Sequence, residues 1–307
     1  ALSSMTTLAD CRALDARDPL AAARERFVLP EGVIYLDGNS LGALPKATEP
    51  RVREVIAAQW GKDLIKSWNL HDWIGLPRRV GAKIARLIGA KDHEVVVADS
   101  TSLNVFKALH AALGHQPGRR VILSDDGNFP TDLYMAQGLA ELLDDKHELV
   151  VVPSEQITSA LGGDVAVLML TEVDYRTGRR HDMKALTKAA HDAGALTLWD
   201  LAHSAGAFPV DLNGCGADFA VGCGYKYLNG GPGAPAFIFG SSNELDRKRE
   251  VMLLRLEVLL GCAEGLAHCH DRQQLFVDLK PDNVMVQLAR QGPNVPTTLT
   301  AVKLIDP

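Results

Sequence analysis

Cysteine is sparse in this chain of 307 residues, and what there is forms no pattern. Cys11, Cys215, Cys223, Cys262 and Cys269 are odd in number and include no CxxC pair. That argues against a disulfide framework and against a structural zinc site, so no metal is expected and a reducing compartment fits. Apolar runs of the ~18 residues needed to span a bilayer are also missing, which sets aside a membrane partner. Positive charge is not in surplus: the formal net charge is -6. Nucleic acid is therefore not the expected partner, and a cytoplasmic protein handling small molecules is. Residues 1–16 lack a basic start followed by an apolar stretch, so no secretory leader is expected. Internal repeats and low-complexity segments are absent too.

What is there suits a globular core. The chain is 47% hydrophobic and 23% charged. Short apolar runs alternate with helical stretches: EVVVADS (94–100), RVILSD (120–125), ELVVVP (148–153), VAVLMLTEV (165–173), ALTLWDLA (195–202), ADFAVGC (217–223) and APAFIFG (234–240). Several are apolar on both faces, the mark of strands buried between two helix layers in a mainly parallel α/β sheet. A further short strand is read at VIYLDG (33–38). One helix is expected from Thr101 or Ser102, presenting Leu103, Phe106, Leu109 and Leu113 at helical spacing. Another should run from an N-cap at Asp182 to a stop at Gly194.

Four stretches carry possible chemistry. In ADSTSLN (98–104) a strand gives way to a helix N-terminus bearing Ser100, Thr101 and Ser102, which suits a phosphate and equally suits a helix capping itself. In NFPTDLYM (128–135) Phe129 could stack on a flat ring and Asp132 cap or contact it, or Pro130 and Thr131 simply open a helix. In TLWDLAHSAGA (197–207) Asp200 lies at a strand end with His203 three residues on. A carboxylate there can pair with a pyridine nitrogen, or cap a short turn. In GCGYKYLNGGPGAP (222–235) Lys226 follows an apolar strand, between two tyrosines and two glycine clusters. Such a lysine can lose its proton and bond to an aldehyde cofactor, and glycines let backbone approach a bulky ligand.

Taken in order, these stretches resemble the aminotransferase-like fold of pyridoxal 5'-phosphate (PLP) enzymes. The words YLDGNSLG (35–42), SWN (67–69), NFPTDLY (128–134), WDLAHSAGA (199–207) and YKYLNGGPG (225–233) resemble the kynureninase family, over roughly residues 5–240. The resemblance implies hydrolysis of L-kynurenine to anthranilate and L-alanine, in tryptophan catabolism and NAD biosynthesis, by a cytoplasmic homodimer. It implies that Lys226 carries PLP and then serves as the base for the substrate α-proton. Asp200 would pair with the pyridine nitrogen beside His203, and Tyr225, Ser100 and Thr101 would hold phosphate. Phe129 would stack on the ring with Asp132 and Thr171 nearby, and Asn39, Ser40 and Trp68 would lie by the substrate. Rival readings are another PLP enzyme of this fold, such as a desulfurase-like lyase, and a non-catalytic fusion or pseudokinase-like interaction protein.

The character of the sequence changes near Ser241–Ser242. The expected organisation is an N-terminal segment (1–50), a PLP-binding large domain (51–242) and a foreign tail (243–307). The resemblance calls for a C-terminal small domain with a carboxylate-binding arginine beyond this point, and the tail does not read as one. It begins with a long helical stretch (244–270). GLAHCHDRQQLFVDLKPDNVMV (265–286) then resembles a protein-kinase catalytic loop, with Asp278 as the catalytic aspartate, Lys280 two residues on, Asn283 as a magnesium ligand and Asp306 as the metal-binding aspartate. Phe276 and Val277 stand where His-Arg is usual, Pro307 stands where Phe is expected, and no kinase glycine-rich loop lies upstream. The tail is read as a helical, kinase-like fragment without kinase activity.

Overall fold

The computed structural model describes residues 6–143 and 146–242, together with the backbone of two strands in the tail. It divides into two compact units, Ala1–Ser241 and Ser242–Pro307. The first unit contains, in order, α1 (Leu8–Asp15), β1 (Phe27–Val28), β2 (Leu44–Pro45), α2 (Thr48–Glu54), α3 (Ser67–Leu70), α4 (Leu76–Ala85), β3 (Val95–Val97), α5 (Thr101–Gly114), β4 (Val121–Asp125), α6 (Pro130–Leu142), β5 (Glu148–Val152), α7 (Ile157–Ala160), β6 (Val165–Thr171), α8 (Met183–Asp192), β7 (Leu196–Asp200), α9 (Leu212–Cys215), β8 (Phe219–Gly222) and β9 (Phe237–Gly240).

Seven strands form one sheet in the order β3-β9-β8-β7-β6-β4-β5. The pairs β4/β5, β4/β6, β6/β7 and β7/β8 are parallel, whereas β9 runs antiparallel to both of its neighbours. The mainly parallel α/β reading of the sequence is what the structure has. Strand after strand alternates between two covered faces. Leu123, Leu170, Trp199 and Ala220 pack with Ile84, Met183 and Leu212 of the helices on one side. Ile122, Met169, Leu198 and Val221 pack with Leu109, Leu113 and Leu139 on the other. Burial on both faces explains why β6 and β7 read as unbroken apolar runs: every residue of each is buried.

The helix ends follow their cap residues. Asp182 accepts from the Ala185 N–H at 3.0 Å to start α8, and Gly194 leaves it at φ +78°. In α5 the buried face carries Val105, Ala108, Leu109, Ala112 and Leu113, while Leu103 is half exposed, one residue off the stripe expected of it.

Two expectations need correction. VIYLDG (33–38) is not a strand: Ile34 and Leu36 are 87% and 86% exposed, and no neighbouring backbone pairs with them. The short antiparallel pair in this region is β1 with β2, at Phe27↔Pro45 and Val28↔Leu44. In the second unit, the described backbone is not helical. The strands β10 (Val284–Ala289) and β11 (Thr298–Leu304) pair antiparallel, as suits VMVQLA and TLTAVKL with their alternating β-branched residues. The helix expected at 244–270 lies outside the described residues, as do Asp278, Lys280, Asn283 and Asp306. Among the described residues no helix is long and apolar enough to cross a membrane.

Candidate active site

Parallel α/β sheets leave a crevice at the carboxyl ends of their strands. Here β4 ends at Asp125, β6 at Thr171, β7 at Asp200 and β8 at Gly222. Being antiparallel to β9, β3 runs the same way as β8, so the N-terminus of α5 with Ser100 and Thr101 opens onto the same edge. Of the candidates named from the sequence, Lys226, His203, Phe129, Asp132, Thr171 and Asp200 come together there.

Lys226 follows β8 and is half-buried, with Nζ 2.6 Å from His203 Nε2. The same amine lies 5.6 Å from the centre of the Phe129 ring and 6.0 Å from that of Tyr225. It is less enclosed than the apolar strand before it suggests, but it faces the strand ends rather than bulk solvent. The loop that carries it is closed by glycines. Gly230 N–H donates to Gly224 O at 2.8 Å, and a Cβ on Gly224 would lie 2.4 Å from the Pro235 carbonyl oxygen.

Beneath the amine lies a carboxyl pair. Asp132, in the first turn of α6, is 1% exposed and Asp200 is 4% exposed. Burial pushes both upward, Asp132 well above the usual carboxylate range and Asp200 to about 6, while Lys226 pulls each back. The charge of the neighbouring Asp200 adds to the rise of Asp132. Asp200 also accepts from the Ala202 N–H at 2.9 Å. The capping reading of Asp200 is what this bond shows. Thr171 pairs in register with Asp200, and its hydroxyl donates to the Val173 carbonyl at 3.2 Å. His203 is held neutral: burial first, then the Lys226 charge, lowers it to about 4.

Phe129 is set by a buried relay. Its N–H donates to Asn128 Oδ1 at 2.7 Å, and Asn128 Nδ2 donates to Ser124 Oγ at 3.0 Å. Ser124 in turn donates to the Met169 carbonyl at 2.7 Å. Ser100 is the N-cap of α5 and accepts from the Leu103 N–H at 3.3 Å, with Thr101 as the first helical residue. The free N–H groups of that first turn are a ready anion site.

The words YLDGNSLG and YKYLNGGPG meet in space. Asn229 Nδ2 donates to the Ala43 carbonyl at 3.0 Å across 186 residues of chain, and Gly42 leaves room for the Asn229 side chain, since a Cβ there would sit 1.9 Å from Oδ1. Asn39 lines a cavity of about 690 Å³ together with Phe27, Tyr35, Lys226 and Tyr227. Ser40 instead turns its hydroxyl onto Asp37 Oδ1 at 2.7 Å. Trp68 packs edge-on against Trp73 at 6.1 Å, outside that cavity's lining.

Sequence reasoning passed over Tyr175, Arg180 and His181. Tyr175 meets Phe129 edge-on at 5.1 Å and lies over His203 at 6.2 Å. The available signal was a turn, DYRTG, directly after the end of a buried strand.

Two buried polar atoms at this edge, Asp132 Oδ2 and His203 Nδ1, have no hydrogen-bond partner. Buried groups of that kind are normally satisfied, so they fit a bound polar ring system. An amine, a neutral imidazole, an aromatic face, a buried acid pair and a helix N-terminus at one edge also suit an aldehyde-bearing phosphate cofactor. An α/β fold with a lysine-centred site at its carboxyl edge is the class these features define. A family model described as aminotransferase class-V matches residues 77–248, more than half the chain, and the chain belongs to that family.

Among similar proteins, a kynureninase of Deinococcus radiodurans is 60% identical over 250 residues, covering 80% of this chain and 60% of the relative. A kynureninase of Pseudomonas fluorescens is 57% identical over 247 residues, covering 79% and 59%. The chain thus spans about three-fifths of the length of these relatives. Among solved structures, the cysteine desulfurase CsdA of Escherichia coli superposes with a TM-score of 0.62 at 20% identity, over 73% of this chain and 58% of that one. A C-DES mutant with glycine covalently linked to its PLP cofactor gives 0.60 at 17% identity, over 73% and 60%. At such identities the structural likeness speaks for the fold alone.

Proposed function

We propose that residues 51–242 form the PLP-binding large domain of a kynureninase, preceded by an N-terminal segment, and that the activity served is hydrolysis of L-kynurenine to anthranilate and L-alanine. The observation that carries this reading is the Lys226–His203 contact set over the Asp132–Asp200 pair, in a chain 57–60% identical to kynureninases across this region.

PLP, when bound, supplies an aldehyde and an electron-withdrawing ring. In this reading Lys226 Nζ is the point of attachment. When free of the cofactor, Lys226 Nζ would be the base for the proton on the substrate Cα. Asp200, at the end of β7 beside His203, would pair with the pyridine nitrogen. Phe129 covers one ring face. The α5 N–H groups with Ser100, Thr101 and Tyr225 hold phosphate, Thr171 braces the Asp200 strand end, and Asn39 lines the substrate side. Ser40 and Trp68 are weaker candidates for substrate contact, since each is engaged elsewhere. A homodimer in the cytoplasm completes the reading.

The test is titration of the full chain with PLP, followed by borohydride and peptide mapping. Capture of the cofactor on Lys226, and its loss in Lys226→Ala, is expected. Turnover of kynurenine rather than cysteine distinguishes this reading from a desulfurase-like lyase. A chain that never captures PLP overturns it in favour of a non-catalytic fusion protein. The kinase-like reading of residues 243–307 rests on GLAHCHDRQQLFVDLKPDNVMV (265–286) and on Asp306. Magnesium-ATP binding that disappears in Asp278→Ala or Asn283→Ala is its test.

A further inference from the structure

The ring of His203 is held in an unusual way. Its Nε2 meets Lys226 Nζ at 2.6 Å, while its Nδ1 is buried with no hydrogen-bond partner. A histidine at a reacting centre is normally oriented by a hydrogen bond at the nitrogen it does not use. The ring torsion of histidine is broad, so without that bond only packing fixes the imidazole plane. Two rings pack on it. Tyr175 lies nearly parallel, at 27° and 6.2 Å, whereas Phe129 is tilted at 48° and 6.3 Å.

Tyr175 is presented by a hairpin braced more heavily than its exposure suggests. Val173 and Arg180 pair as an isolated bridge, Asp174 N–H donates to Arg179 O at 2.9 Å, and Gly178 N–H donates to Asp174 O at 2.8 Å. Asp174 Oδ1 caps the tip by accepting from the Arg176 and Thr177 N–H groups at 2.8 and 3.3 Å. At the base, the fully buried Glu172 carboxylate pairs with Arg180 at 3.0 Å, and His181 Nε2 meets Asp125 Oδ2 at 3.0 Å. Asp125 also accepts from Ser154 Oγ at 2.5 Å. These contacts tie the hairpin to the ends of β4 and β6. The tyrosine ring is thereby held in place independently of the imidazole it covers.

We propose that Tyr175 is a positioning residue: its ring, carried on the braced hairpin 172–181, fixes the imidazole plane of His203 and so keeps Nε2 on the Lys226 amine. The inference gives a role within the PLP-binding site proposed above, and it rests on that reading for its consequence but not for its geometry. The ring is the working part, and the hydroxyl is not. Tyr175→Phe is therefore expected to behave as the natural chain, and Tyr175→Leu is not.

The experiment uses the full chain labelled with ¹⁵N-histidine. Without cofactor, the His203 ring resonances of Tyr175→Phe should stay close to those of the natural chain, whereas those of Tyr175→Leu should lose the ring-current shift and broaden. With PLP added, the rate of imine-band growth should be unchanged in Tyr175→Phe and fall about fivefold to tenfold in Tyr175→Leu, the size of one lost aromatic pair. Equal melting temperatures of the two variants establish that both are folded. If both variants melt lower, Arg176→Ala, which removes the cation 5.8 Å from the tyrosine ring together with its contacts to Asp174 and the Asp126 carbonyl, serves as a second folded reference. Unchanged His203 resonances in Tyr175→Leu overturn the inference. Failure of the natural chain to capture PLP overturns the functional proposal instead, and leaves the resonance comparison standing.

Discussion

Strands β6 and β7 and the segment 27–76 that precedes the sheet differ in what covers their apolar side chains. In the strands, Leu168, Leu170, Leu198 and Trp199 are at most 1% exposed, each facing a helix layer. In the segment, Ile34, Leu36, Trp60, Ile65, Trp68 and Ile74 are all between 48% and 87% exposed. Both stretches are apolar in sequence, so apolarity alone does not decide burial. The strands are enclosed because parallel crossovers place helices on both faces of the sheet. The first part of the segment meets the loop after β8 through the Asn229–Ala43 hydrogen bond and a shared cavity. The sheet therefore carries the stability, and the segment shapes the site.

Mutations can break or sharpen that contrast. The largest effect is expected at Trp199, which is enclosed in the core and donates from Nε1 to Thr187 Oγ1 at 3.1 Å. Trp199→Ala should cost about 3–5 kcal/mol in denaturant unfolding. Next comes Asn128→Ala, which breaks the relay behind Phe129 and leaves the Ser124 hydroxyl short of a partner. It should cost about 1–3 kcal/mol and also weaken PLP capture.

The acid pair gives a pH signature. Carboxyls that keep their protons when folded stabilise the chain below the ordinary carboxylate pKa. That stability is lost as pH rises, through about 6 for Asp200 and further up for Asp132. His203 slopes the other way: lowered to about 4, it contributes stability above the usual histidine pKa that is lost as pH falls towards 4. Comparing Asp132→Asn with the natural chain isolates the acids. The variant should show a flatter fall in stability as pH rises above the ordinary carboxylate pKa, in urea titrations without cofactor.

Gly206 sits at φ +89°, with a Cβ position 3.1 Å from Tyr227 backbone atoms. Gly206→Ala should cost about 1 kcal/mol or more and shift the Lys226 loop. Smallest of all, Ile34→Ser should change folding stability by less than about 0.5 kcal/mol. A large loss there would place this segment with the core and remove the contrast.

Much of this was legible in the residues. Runs such as VAVLMLT and LTLWD announce strands buried on both faces, and Asp182 and Gly194 mark the ends of α8. The candidate site could be named residue by residue, because a strand end followed by Asp, His or Lys is a local pattern. VIYLDG misled, because alternation predicts a strand only where another strand is available to pair, and pairing is not local. Leu103 shows the same limit on a helix, where one residue's offset moves a side chain from core to solvent. Tyr175 escaped notice because its importance lies in facing His203, 28 positions away, and no local pattern encodes that. The tail was read as helical from its first stretch, yet its described part is a hairpin whose β-branched alternation stood in the sequence.

By itself the sequence determined the secondary elements of the sheet, the two-sided burial of its strands and the chemical kinds gathered along its ends, because these depend on periodicity, caps and side-chain type. Only the tertiary structure decided which groups touch: the amine on the imidazole, the two acids buried together, the tyrosine laid over a histidine with one unbonded nitrogen. The physical reason is range. Patterning acts over a few residues, whereas hydrogen bonds, ring contacts and burial depend on ångström distances between strands that meet only once the sheet has formed.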